Sequence, residues 1–367
     1  MQARKEEFHT IDALRFFAFL RVYFHHLYVP VDFGLFSTLK RGGGIGVVFF
    51  FVLSGFLITW ILTSTKLEAG KIDLKRFYAK RILRIWPLFY VYLLIVYLAP
   101  SAIRGYLGYD GWGYAPDWRA SFAFLENYQI IIHHAWPAYS GLVITWSLCI
   151  EEHFYILWAL LMVIWPVRRI PLLMAGLIAT AVIARVAALH YMPAYDINTN
   201  EVITSLDYFA CGGLVGYWVA AHRDRFEAFI LGIPYLLRVA YCVFTVFIVF
   251  GGGSLFTLLH LPDYLHPLLF SAVFAGLIAV VIPSGSDIRI SVGNPLSYLG
   301  RISYGLYLFH GMVIIATLKV LSDHHLQIDT VPMLCLDILI TFGISVLIAA
   351  AFYHFFEKPI LGLKKHL

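Results

Sequence analysis

The chain has 367 residues, of which 60% are hydrophobic and only 13% are charged, and its mean hydropathy is +0.78. Soluble domains carry about 25% charged residues, so this composition excludes an ordinary soluble protein and favours one embedded in lipid. The formal net charge of +5 is typical of basic loops that face the cytoplasm and anionic lipid, and it gives no indication of nucleic-acid binding.

Apolar stretches recur along the whole chain. The first of them is not a cleavable signal peptide, because Arg15, Arg21 and two histidines interrupt it. The pattern predicts an all-α, polytopic membrane bundle of about ten transmembrane helices, each of about 20 residues, in which residues 1–367 form a single domain. The predicted spans lie near 11–30, 43–64, 80–100, 142–165, 171–192, 205–221, 230–250, 266–283, 297–320 and 333–356.

The distribution of basic residues predicts the orientation of these helices. Most of the 27 lysines and arginines fall in segments on the same side as the N-terminus, and short loops rich in these residues stay in the cytoplasm. Both termini are therefore expected in the cytoplasm. The one long segment between spans, residues 101–141, would lie on the outer face, where it could cap a site. Its Phe122, Phe124 and Tyr128 lie near a predicted short surface helix.

The first predicted span carries several ionisable residues, which are functional candidates inside a membrane. Eleven positions separate Arg15 from His26. An α-helix therefore turns them to within about 20° of each other at a rise of about 16 Å, whereas His25 lies about 80° from Arg15. This places a cation near the cytosolic surface and an imidazole, the usual general base, deeper in the membrane. Alternatively, Arg15 only reaches the interface and the histidines only hydrogen-bond inside the bundle.

Charged residues also interrupt the third and fourth predicted spans. Arg81 and Arg84 share one helix face, and paired guanidinium groups bind phosphates well, although the pair is also compatible with a purely orienting basic cluster. Glu151 and Glu152 point about 100° apart, so at least one needs a buried partner or a proton. A pair between glutamate and arginine that only joins two helices would satisfy this need.

Two further features of the sequence are interpreted without a chemical role. Ser54 lies among small residues in the second span and is interpreted as a packing residue, because no base is adjacent to it in the sequence. The four cysteines have no paired spacing, so neither a disulfide nor a metal cluster is expected.

Several motifs in order resemble the membrane acyltransferase-3 family, which includes O-acetyltransferases of surface and exported glycans. Its opening motif resembles Asp12, Arg15 and His26. The chain differs from many members in having no acidic residue at 46–49, and it resembles the stand-alone members that lack a hydrolase-like domain. The other similar segments are 49–57, 81–87, 147–155, 299–310 and the terminal 357–359.

The resemblance implies a membrane O-acyltransferase in the plasma membrane, the inner membrane of a bacterium. It would move an acyl group from cytosolic acyl-CoA to a hydroxyl of a glycan or lipid-linked saccharide, and acetyl is the first candidate for this acyl group. Arg81 and Arg84, with Arg15 deeper, would bind this co-substrate, and no metal is implied.

The resemblance also implies roles in the chemistry. His26 would be the general base, with His25 open as a substitute. Glu151 or Glu152 would position or charge the imidazole, or bind the acceptor. The acyl group could pass directly to the acceptor or through a covalent acyl-enzyme.

Two other functions are compatible with the same residues. A transporter or flippase for lipid-linked sugar would also carry Glu, Arg and His inside the membrane, although the sequence shows neither paired broken helices nor an internal repeat. An acyltransferase for a small-molecule acceptor would carry the same motifs.

Overall fold

The structure, a computed structural model, describes residues 9–30, 34–40, 42–107, 113–192 and 201–366. Three basic residues that enter the predicted orientation, Arg4, Lys5 and Arg41, lie outside these ranges. Within them the chain is helical and has no β-strand, as the sequence predicts. The helices are α1 His9–His26, α2 Gly34–Lys40, α3 Gly44–Ala69, α4 Leu74–Leu98, α5 Ser101–Arg104, α6 Trp118–Phe122, α7 Glu126–His133, α8 Thr145–Ile164, α9 Ile170–Tyr191, α10 Leu206–Ala221, α11 Arg223–Gly232, α12 Tyr235–Leu258, α13 His266–Val281, α14 Pro295–Arg301, α15 Ser303–Asp323, α16 Val331–Phe352 and α17 Lys358–Gly362.

Seven helical segments in the described part of the chain are long and apolar enough to cross a membrane. The pair α11 and α12, bent by 92°, would make an eighth if it is one span. α1 also matches a predicted span but carries three charged residues, and α10 has only 16 residues. The protein is thus a helical integral membrane protein, and the count of about ten spans stays a prediction. The seven segments are Gly44–Ala69, Leu74–Leu98, Ser140–Ile164, Val167–Tyr191, Asp263–Val281, Ser303–Asp323 and Val331–His366.

Glycines allow helix backbones to meet at the centre of the bundle. A Cβ atom at Gly212 of α10 would lie 1.9 Å from the carbonyl oxygen of Val52 in α3, and one at Gly55 would lie 2.1 Å from that of Phe209. Larger side chains would push these helices apart, which is why small residues mark close packing in membranes. The packing role predicted for the small residues of the second span thus has a geometric basis at Gly55.

A buried ion pair joins α9 to α10. The guanidinium group of Arg185 donates to both carboxylate oxygens of Asp207, at 2.9 and 2.6 Å. It also donates to the carbonyl oxygens of Thr204 and Tyr264, at 2.6 and 3.0 Å. The two side chains are 2% and 0% exposed. Because its donors are already occupied, Arg185 has a structural role.

The segment 113–139, which lies between α4 and α8 in the sequence, packs on α4 through aromatic stacking. The rings of Phe122 and Tyr90 lie 5.5 Å apart at 9°, and those of Phe124 and Phe89 lie 4.4 Å apart at 15°. Glu126 in this segment is buried and accepts hydrogen bonds from the hydroxyls of Tyr114 and Ser121. Burial raises the pKa of the Glu126 carboxyl. These contacts fix the segment over one part of α4.

The ion pair gives a direct stability test. Asp207→Ala leaves the Arg185 guanidinium buried without its anion, so we expect a loss of about 3–5 kcal/mol in the free energy of unfolding. A lower midpoint of thermal unfolding in detergent would measure it. The double variant Arg185→Met/Asp207→Leu removes both charges and is expected to lose less. An Asp207→Ala protein that unfolds at the wild-type temperature would contradict the structural role.

Candidate functional site

A narrow cavity between five helices brings three arginines together. The volume of this cavity is only about 70 Å³. Among the described residues that line it, Glu151 is the one acidic residue. The lining residues are Arg15 from α1; Val47, Phe50, Phe51 and Ser54 from α3; Arg81, Arg84 and Ile85 from α4; Ser147, Leu148, Glu151 and Tyr155 from α8; and Ser303, Tyr304 and Tyr307 from α15.

Hydroxyl groups hold the carboxylate of Glu151 in this cavity. Its Oε1 accepts hydrogen bonds from Ser54 and from Tyr155, and the Tyr155 hydroxyl also lies 3.3 Å from the Ser54 oxygen. The guanidinium of Arg81 lies over the Tyr155 ring, 5.8 Å from its centre. The fold therefore places a carboxylate beside Ser54, a residue that has no base next to it in the sequence and for which the sequence predicts only a packing role.

Glu152 points away from this cavity. Its side chain is 7% exposed, and its Oε2 accepts a hydrogen bond from the indole N–H of Trp86 at 3.0 Å. Its other oxygen, Oε1, is buried and has no hydrogen-bond partner among the described residues. The ring of Trp86 lies 5.7 Å from that of Phe124 in the segment 113–139. The two adjacent glutamates thus face different surroundings.

His26 is the last residue of α1 and is not one of the residues that line the cavity. Its Nδ1 is 2.9 Å from Nε2 of His310 in α15, a residue that sequence reasoning left without a role. Among the described residues, neither Glu151 nor Glu152 hydrogen-bonds to His26, so the contact that one of the alternatives requires, a glutamate that positions the imidazole, is not formed. His25 is exposed, and its Nδ1 lies 2.9 Å from the carbonyl oxygen of Lys40.

One face of α15 links the two regions. Tyr304 and Tyr307 line the cavity, and His310, one further turn along, contacts His26. The Tyr307 hydroxyl lies 2.6 Å from the Ser147 oxygen. The spacing of three residues between these polar side chains was the signal in the sequence, because it places them on one side of a helix.

Additional basic residues surround the mouth of the cavity. Lys364 is half-buried near the C-terminus, and the charges of Arg84, Arg81, Lys80 and Arg15 act on it. A wider surface groove shares Arg81 with the cavity and has a volume of about 920 Å³. The basic residues of this groove are Lys71, Arg76, Lys80, Arg81 and Arg223, and its acidic residues are Glu68 and Asp73.

Comparison with known proteins identifies the class to which this fold and site belong. Residues 8–350 match the family described as an acyltransferase domain, acyltransferase-3. The chain therefore belongs to the membrane acyltransferase-3 family.

The chain is similar to three named relatives. It is 28% identical to a peptidoglycan O-acetyltransferase of Listeria monocytogenes, over 96% of this chain and 55% of that protein. It is 28% identical to a putative peptidoglycan O-acetyltransferase of Bacillus subtilis, over 95% and 54%, and 26% identical to an O-acetyltransferase of Staphylococcus aureus, over 95% and 56%. The chain spans about half the length of these curated relatives. No solved structure matches it.

Proposed function

We propose that this protein is a membrane O-acetyltransferase that moves the acetyl group of cytosolic acetyl-CoA to a hydroxyl group of a glycan, with peptidoglycan as the first candidate. The observation that carries the proposal is the cavity where Arg15, Arg81 and Arg84 meet inside an apolar bundle of an acyltransferase family. The names of the relatives support an acetyl group and a peptidoglycan acceptor.

The arginines and the basic groove suit the anionic end of coenzyme A. Its phosphates would lie along the groove at Lys71, Arg76 and Lys80 and reach Arg81, which belongs to both spaces. Guanidinium groups bind phosphate oxygens in bidentate geometry, and they do so more strongly where water is scarce. Because acetyl-CoA is made in the cytosol, this side faces the cytoplasm in the proposal. Both termini would then be cytoplasmic, and about ten spans would cross the plasma membrane.

The neutral arm of coenzyme A would run along the face of α1 from Arg15 towards His26. The rise between these residues is about 16 Å, and Tyr304 and Tyr307 lie beside this path. The side chains around the narrow cavity would have to move apart to admit the arm. The thioester would then lie near the imidazole while the phosphates stay at the cytosolic mouth.

The proposed reaction uses His26 as general base. The imidazole takes the proton of the acceptor hydroxyl, the hydroxyl oxygen attacks the thioester carbonyl carbon, and the C–S bond breaks. The coenzyme A thiolate leaves and takes up a proton. His26 is proposed rather than His25, because His25 is exposed and already hydrogen-bonded to a carbonyl.

The two glutamates have different proposed roles. Glu151 balances the charge of the three arginines and holds Ser54 and Tyr155 by hydrogen bonds. Glu152 has a buried oxygen without a partner beside the indole of Trp86, a combination that suits a sugar hydroxyl. Glu152 is therefore proposed to help bind the acceptor.

A transporter or flippase for lipid-linked sugar is the second candidate. The bent pair α11 and α12 favours it, because broken helices build substrate sites in transporters. Among the described helices this pair has no counterpart elsewhere in the chain. Acetyl-CoA separates the two candidates, since a transporter would neither bind nor consume it.

The general base has a matched pair of variants. We expect His26→Ala to lower acetyl transfer by about 10²- to 10⁴-fold, because the hydroxyl would lose its proton acceptor. His25→Ala is expected to stay near the wild-type rate. Purified protein in nanodiscs would be given labelled acetyl-CoA and peptidoglycan fragments, and the acetylated product measured by mass spectrometry. Near-normal transfer by His26→Ala would refute the assignment.

The phosphate site is tested by binding alone. Arg84→Gln and Lys364→Gln each remove a cation at the cavity mouth, so we expect the Kd for acetyl-CoA to rise by about 10- to 100-fold in titration calorimetry. Lys365→Gln is the control, because Lys365 is adjacent in sequence but exposed. If all three variants bind acetyl-CoA as the wild type does, the phosphates do not bind at this mouth.

A further inference from the structure

His310 is a buried imidazole with one nitrogen fixed as a donor. Its side chain is 0% exposed, and its Nδ1 lies 2.8 Å from the carbonyl oxygen of Tyr307 and 3.1 Å from that of Leu306. Carbonyl oxygens can only accept hydrogen bonds, so Nδ1 of His310 carries a hydrogen.

The surroundings of His310 favour a neutral ring. Phe19 packs against it edge-on, with ring centroids 5.5 Å apart, and the ring centroid of Tyr23 lies 6.5 Å away. The Tyr23 hydroxyl is occupied by Thr341 and by the carbonyl oxygen of Ile338. Within the described residues no carboxylate hydrogen-bonds to His310, and a buried cation without an anion is costly. The Nε2 atom of His310 therefore holds a lone pair and accepts.

The accepting Nε2 atom of His310 determines which ring nitrogen of His26 carries the hydrogen. Its Nδ1 is 2.9 Å from that accepting nitrogen, so Nδ1 of His26 must be the donor. A neutral imidazole has one N–H, and the lone pair of His26 is consequently on Nε2. Free imidazole side chains are not held in this tautomer. The contact with His310 favours it, and His26 also forms a hydrogen bond with the backbone of Val22.

The geometry assigns His310 as the positioning residue that makes Nε2 of His26 the proton acceptor, an inference that rests on the proposed function. When the acceptor hydroxyl gives its proton to Nε2, His26 becomes a cation and its Nδ1–H still donates to His310. A hydrogen bond from a charged donor is stronger than one between neutral groups, so His310 stabilises the imidazolium as it forms. A carboxylate does this in Ser-His-Asp triads, and here a neutral ring takes that place.

Two amide variants separate positioning from packing. Glutamine places its amide at about the reach of Nε2, whereas asparagine reaches only as far as Nδ1. His310→Gln therefore keeps an acceptor for His26, and His310→Asn keeps a polar group near the helix carbonyls but leaves His26 without its partner.

We expect His310→Asn to lower kcat by about 10- to 100-fold with KM for acetyl-CoA unchanged, and His310→Gln to stay within about threefold of the wild type. Thermal unfolding of both variants checks that they fold. Equal kcat in the two variants, whether low or at the wild-type level, would overturn the inference.

The tautomer can be measured without any turnover. In nanodiscs, ¹⁵N-histidine NMR should show Nδ1 of His26 protonated and Nε2 unprotonated, with the signals assigned by their loss in His26→Gln. In His310→Asn the Nε2–H form should become populated. A protonated Nε2 in the wild type would overturn the role of His310 even if His26 is the base. A protein with the expected tautomer that transfers no acetyl group would instead refute the proposed function.

Discussion

Burying a guanidinium group in an apolar bundle costs free energy, and Arg185 is compensated in a different way from the three arginines of the cavity. Arg185 has a carboxylate and two carbonyl oxygens at hydrogen-bond distance, so its charge and its donors are occupied within the protein. Arg15, Arg81 and Arg84 instead share a cavity in which Glu151 is the one acidic lining residue. This difference separates a structural arginine from a cluster that has positive charge available for an anion.

Backbone contacts hold the cluster together. α1 comes close enough to its neighbours because a Cβ atom at Gly300 would lie 1.6 Å from the carbonyl oxygen of Asp12, and one at Gly46 would lie 2.7 Å from that of Ala18. At the other end of the chain a π-helical turn, Tyr353–Glu357, follows α16, and Glu357 acts electrostatically on Arg84. The position of Arg15 and the environment of Arg84 thus depend on helices that are far apart in the sequence.

The sequence predicted the helical class well, because a membrane requires apolar stretches of a given length. Each predicted stretch overlaps a helix, although 230–250 and 297–320 each extend over parts of two helices. The sequence also singled out Arg15, Arg81, Arg84 and Glu151, because charged residues inside a span are rare. It could not tell which of the two adjacent glutamates faces the cavity, since that depends on how α8 rotates against α3 and α4.

Contacts between residues that are far apart in the sequence could not be predicted either, because they also depend on how the helices pack. Ser54 is 97 positions from Glu151, and His26 is 284 positions from His310. A contact between a glutamate and His26, one of the alternatives that the sequence leaves open, is not formed among the described residues, because His26 lies at the end of α1 while Glu151 shares the cavity with Arg15. Helical periodicity gives the face of a residue but not the neighbour that this face meets.

The separation of Arg15 from His26 has a chemical consequence for the proposed reaction. If the base lay among the arginines, their positive charge would oppose the formation of an imidazolium. A rise of about 16 Å along α1 instead keeps the phosphate site and the proton acceptor apart, and a ligand with a charged end and a long neutral arm can reach both. At the far end of this face, the base His26 has a neutral partner, His310. His310 accepts a hydrogen bond from His26 and adds no charge to an apolar region. The α1 face that carries Arg15 and His26 would therefore keep the binding of the phosphates apart from proton transfer. α15 would contact both regions, through Tyr304 and Tyr307 at the cavity and through His310 at His26.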